Sequence, residues 1–189
     1  MRTKAAIVDA CLALVDAGDL RPTAPRVAEK AGVSVRSVFQ HFADLDSLFA
    51  AVGDEAVSRL RNRGLHLDPD APVTERIDTA VKHRTALLEE LTPLRRSIAV
   101  NAWNSTIVNE RLHWGHSLFR DELSAGFAEE LGDDTQLLDS LDTVMSWPTW
   151  DHMRTLIGLD EETARGVLVR VLRSLLRVPD EELGPGLPD

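Results

Sequence analysis

Arg36, Phe39 and Gln40 have the types and the spacing of side chains that read nucleic acid. They fall at i, i+3 and i+4, so in a helix they form one stripe. Arginine makes a bidentate contact to guanine and glutamine to adenine, which makes Arg36 and Gln40 the candidate base-edge readers. Phe39 can pack on the sugar-phosphate backbone but has no group to donate to it. Arg26, nearer the N-terminus, supplies a positive charge that every DNA sequence would feel alike.

Such side chains need a rigid frame, and the surrounding residues spell one. Thr23 is placed to cap a first short helix, and Pro25 is tolerable in its first turn, where N–H groups have no intrahelical partner. Val27 and Ala31, four apart, give that helix an apolar face. Gly32 supplies the left-handed conformation that ends it, and Ser34 can cap the next helix. There Val38 and Phe42 point inward, leaving the basic and amide-bearing side outward. Two short helices joined by a tight glycine turn are the sequence form of a helix-turn-helix, whose second helix enters a major groove. The plainer alternative is a helical hairpin within a core.

Ile7-Val8-Asp9-Ala10-Cys11-Leu12, Gly18, Val27-Ala28-Glu29-Lys30-Ala31-Gly32-Val33-Ser34, Val38-Phe39-Gln40-His41-Phe42 and Leu48 keep one register, which resembles the N-terminal domain of the TetR family of transcriptional repressors. The match covers about the first fifty residues. It implies a helical DNA-binding head, a helical ligand-binding body and a homodimer. It also implies that Thr23, Ser34, Ser37 and His41 contact phosphates. Two departures stand out: the family usually has tyrosine at Phe39 and lysine at Leu45. A hydroxyl contact and a backbone-anchoring charge are therefore missing, and Leu45→Lys is expected to tighten DNA binding.

The net charge of −10 over 189 residues runs against DNA binding until it is divided. Residues 1–52 hold six Lys/Arg and six Asp/Glu, so the head is neutral and the rest carries the whole excess. An acidic body repels DNA everywhere except at the head, or simply keeps the protein soluble. Apolar residues make up 43%, enough for a packed core, and no apolar run approaches the ~20 residues that span a bilayer. No basic-then-apolar leader is visible, and the single cysteine, Cys11, fits a reducing cytoplasm. It lies on an apolar face with Ile7, Leu14 and Val15, as a core residue would.

Beyond the head the periodicity stays helical, with no convincing strand. Helices are expected over about 46–63 and 73–91, a restart at Thr92-Pro93, a long helix over about 106–131, a helix through Pro148 to Ile157, and a last one after the Asp160 cap. The segment 64–72 reads as a linker. Trp103, Trp114 and Trp147, with His83, Asn101, Asn104 and His116, suggest a mostly apolar pocket with polar anchors, although ordinary core packing explains any one tryptophan as well. Leu168, Leu172, Leu175 and Leu176 lie on a helix apolar nearly all round, which predicts burial on two sides and hence a dimer interface. The stretch Met145 to Leu159 adds a weaker resemblance to body domains of TetR-like regulators whose last two helices form a four-helix interface.

Chemistry of other kinds finds little support. Glu110, His113 and His116 share a helix face, but no second Glu-x-x-His accompanies them, no paired cysteine motif exists, and no phosphate loop or nucleophile elbow appears. No metal, no cofactor and no enzymatic activity are expected. The expected fold is all-α: an N-terminal three-helix DNA-binding head with the helix-turn-helix (1–46), a C-terminal helical ligand-binding and dimerisation body (47–178) and a disordered tail (179–189). The expected function is that of a cytoplasmic, homodimeric, sequence-specific regulator, a repressor on a palindromic operator in double-stranded DNA, released by a small-molecule effector. The alternative is a helical ligand-binding or protein-interaction module that leaves DNA unbound.

Overall fold

The computed structural model describes residues 2–61, 65, 67–101 and 104–178. The expected tail and Trp103 lie outside the described residues. Among those described, every regular element is helical, and no helix is long and apolar enough to cross a membrane. The chain divides into two compact units, one built from Met1–Gly64 and Glu90–Ser117, the other from Leu65–Glu89 and Leu118–Asp189. That division differs from a single cut near residue 46.

The first unit begins with α1 (Arg2–Asp16), α2 (Ala24–Ala31), α3 (Val35–His41) and α4 (Leu45–Arg61). Its core is a continuous apolar cluster: Ile7, Cys11 and Val15 of α1, Val27 of α2, Val38 of α3, and Leu48 and Val52 of α4. Leu94, Ile98 and Val108 belong to the same cluster, which is why residues far along the chain join this unit. Burial pushes the Cys11 thiol up to about 12, and the charge of Asp19 adds to the effect. A thiol held that far from its thiolate form is inert packing.

In the second unit α5 (Val73–Asn101) contributes its first half, followed by the end of α6 (Thr106–Gly126), then α7 (Ala128–Leu131), α8 (Thr135–Val144), α9 (Trp147–Asp151), a π-helical turn (His152–Ile157) and α10 (Glu161–Leu175). Ile77, Val81, Leu123, Phe127, Leu141, Trp150, Leu168 and Leu172 fill its core. Asp160 caps α10 by accepting the Thr163 N–H at 2.7 Å, as its position predicts.

Three expectations about these helices are corrected. Thr92-Pro93 does not restart the chain: α5 runs through Pro93 for 29 residues. Proline removes one helical hydrogen bond there, but Leu88 before it and Leu94 after it are both buried, so packing holds the helix on each side. The helix expected to reach residue 131 instead breaks at Phe127, whose backbone leaves the helical region. The preceding carbonyl, that of Gly126, accepts Arg76 Nη1 at 2.9 Å. The helix expected to bend at Pro148 is interrupted earlier, at Met145–Ser146, because the Ser146 hydroxyl caps a new helix in which Pro148 occupies the first turn.

Candidate nucleic-acid interface

The turn between α2 and α3 forms as its residues dictate. Gly32 takes φ 67°, ψ 33°, and its N–H bonds back onto α2. Ser34 then starts α3 by accepting the Ser37 N–H at 3.1 Å. Thr23 sits at the cap position of α2, but its side chain makes no capping bond. Its hydroxyl is left for another partner.

Val38 and Phe42 are buried, which fixes the rotation of α3. Arg36 and Gln40 are thereby exposed in the middle of the outward face, with Phe39 on one flank and His41 on the other; Ser37 is half-buried beside them. Among the described residues Arg36 forms no ion pair and Gln40 no hydrogen bond. A guanidinium and an amide held side by side in water on a fixed helix are available for base edges.

Two other head residues are placed differently from expectation. Arg26 pairs with Asp19 at 2.6 Å, so part of its field is cancelled before it meets phosphate. Leu45, read as standing where a backbone-anchoring lysine would be, is the first residue of α4 and packs against the unit's core. It is held beneath a reciprocal cap in which Ser47 N–H donates to Asp44 Oδ1 at 2.8 Å and Asp44 N–H to Ser47 Oγ at 3.2 Å. The Ser47 backbone N–H, and after it the Ser47 hydroxyl, keep the Asp44 carboxyl below its ordinary range.

The second unit holds a cavity of about 10 Å³, room for one water, lined by Leu65, Ala80, His83, Arg84, Phe119, Glu122, Leu123 and Met145. Arg84 dominates it. The residue is 6% exposed, its guanidinium stacks 4.1 Å from the Phe119 ring centre, and its Nε finds no acceptor. Burial lowers its pKa to about 10, against the opposing pull of Asp142 and Glu122, so it stays charged at neutral pH.

Of the described residues suggested for a pocket, only His83 lines this cavity. Trp147 packs on the second unit's core. Asn104 and His116 are exposed, and Trp114 is 39% exposed; all three belong to the first unit. The side chain of Asn101 lies outside the described ones. His113 Nδ1 is 2.7 Å from the Asn109 carbonyl of its own helix, and no group of three potential metal ligands occurs among the described residues. Arg84 and Phe119 escaped the sequence reading. The available signal was an arginine midway between Ala80 and Leu88 on an apolar stripe of α5.

The suggested dimer residues pack within their own unit. Leu168 and Leu172 are fully buried and Leu176 nearly so, within the second unit's own core, with Leu175 packed partly against it. Among the described residues of the second unit, the large apolar side chains left in solvent are Leu156 at 78%, Ile157 at 57% and Val167 at 40% exposure.

Comparison with solved structures decides the fold. A Rhodococcus protein described as a TetR-family transcriptional regulator superposes with a TM-score of 0.69 at 14% identity, covering 93% of this chain and 100% of its own. The fold is that of the TetR regulators. Another, from Mesorhizobium loti, gives 0.59 at 20% identity over 93% of this chain and 94% of its own. The multidrug-binding protein EbrR, solved with imidazole, gives 0.65 at 22% identity over 93% and 96%. No family model and no curated protein matches the chain. In the TetR fold as this chain builds it, α2 and α3 make the helix-turn-helix.

Proposed function

We propose that the chain is a sequence-specific transcriptional regulator, a repressor that binds a palindromic operator as a homodimer and leaves it when a small molecule enters the helical body. The observation that carries this reading is α3: Arg36 and Gln40 stand exposed side by side on a capped helix whose opposite face is locked into a core. A recognition helix has that form.

The remaining parts rest on separate support. A palindrome requires two heads about 34–36 Å apart on one side of the duplex. The exposed Leu156, Ile157 and Val167 offer a second copy an apolar surface that the chain's own core leaves open. Control by a small molecule draws on the neighbour EbrR, which is described as multidrug-binding.

Selection of bound duplexes from random DNA, followed by anisotropy titration, tests the reading. The parent should prefer its selected duplex to a scrambled one. Arg36→Ala should lose about 1–3 kcal/mol and relax the preference at one base pair per half-site. A parent that prefers no sequence would leave a helical ligand-binding or protein-interaction module as the function. A monomer by light scattering at micromolar concentration would remove the twofold operator.

A further inference from the structure

Beside the Arg36–Gln40 row, α3 carries a second outward row, Val35 and Phe39, again four residues apart. They are 38% and 50% exposed, and neither belongs to the unit's apolar core, which takes Val38 and Phe42 instead. The other flank of the same face is polar, with Ser37 and His41. An apolar strip alongside the reading groups gains free energy only against a surface that has apolar groups in the matching place. On the edges that base pairs show in the major groove, that group is the C5-methyl of thymine.

We propose that Val35 and Phe39 select thymines next to the base pairs read by Arg36 and Gln40, by packing on their C5-methyl groups. The inference rests on the reading of α3 as the recognition helix and adds the class of base that its apolar side accepts. Val35 is the first residue of α3, and the N-terminal residues of a recognition helix are those that reach base edges. A valine side chain has no polar atom with which to hold phosphate. The charge balance points the same way. The first 52 residues are neutral, and Arg26 is tied to Asp19, so attraction to the backbone supplies little of the binding. Discrimination then falls to the base edges, where an amide, a guanidinium and two apolar side chains together distinguish adenine, guanine and thymine.

The test resynthesises a selected operator with each thymine in turn replaced by deoxyuridine, which keeps every hydrogen-bonding group and removes only the methyl. Full-length parent protein should bind about fourfold more weakly at one or two positions per half-site, the fold-change of one methyl withdrawn from an apolar contact. Phe39→Ala or Val35→Ala should no longer distinguish thymine from deoxyuridine at one of those positions. Both side chains stand outside the core, and an unchanged thermal melt of either variant separates lost contact from lost folding. Equal binding of thymine and deoxyuridine duplexes by the parent at every position would overturn the proposal while leaving sequence-specific binding intact. A Phe39→Ala protein that weakens both duplexes alike would place the ring on sugars and overturn it too. If selection enriches no sequence, the reading helix itself is lost and the thymine assignment goes with it.

Discussion

The two units solve opposite problems. The first buries hydrocarbon and shows its chemistry outward: its apolar cluster runs from Ile7 to Val108, none of its described charged residues falls among the buried ones, and Arg36 and Gln40 stand in water. The second draws charge inside. Arg76, Arg84 and Asp142 are all buried there, and Glu89 accepts both Trp150 Nε1 at 3.0 Å and Arg154 Nε at 2.7 Å. A surface that reads a partner needs only a stiff support. A unit whose interior contains polar groups has its packing specified by geometry, since each buried charge tolerates few arrangements.

The sharpest way to break this contrast compares two buried arginines on α5. Arg76 is fully engaged: it grips both oxygens of Glu130, donates Nε to the Ala71 carbonyl at 3.1 Å and Nη1 to that of Gly126. Arg76→Ala strands Glu130 and should cost about 3–5 kcal/mol in a urea titration. Arg84, eight residues on, lacks such a partner set. Arg84→Met removes an unsatisfied donor and a ring contact together, effects of about 1–3 and up to ~2 kcal/mol that oppose each other. Its stability should stay within about 1.5 kcal/mol of the parent by the same measurement. Equal losses in the two variants would mean that buried charge acts in this unit through its presence rather than its partners.

A smaller comparison lies inside the first unit. Ser34 and Thr23 hold equivalent positions ahead of α3 and α2, but only Ser34 bonds its helix. Ser34→Ala should lower the melting free energy by about 1 kcal/mol. Thr23→Ala should change it by less than about 0.5 kcal/mol. A cost at Thr23 comparable to that at Ser34 would show its hydroxyl at work in the free protein.

What the sequence made legible was local. The α2–Gly32–α3 turn, the inward pair Val38 and Phe42, and the Asp160 cap depend on residues within a few positions of one another. The α6 break at Gly126 depends on Arg76, fifty residues away, and α5 continues through Pro93 because leucines on both sides are buried. The candidate site divides along the same line. The outward stripe on α3 follows from helical spacing, whereas the pairing of Arg26 with Asp19 and the packing of Leu45 are tertiary facts. The leucines of α10 show the limit of reading an apolar face: the periodicity marks them as buried but does not say by which chain.

The buried cysteine of α1 gives the first unit a clock. Its sulfur is chemically silent while α1 stays packed, and it is the only thiol in the chain. Alkylation therefore proceeds only through molecules that have opened around Cys11, and with a reagent fast enough to outpace reclosing its rate counts those openings directly. Followed with and without DNA, that rate tests whether a duplex grips the head, read as the time between excursions of a single helix.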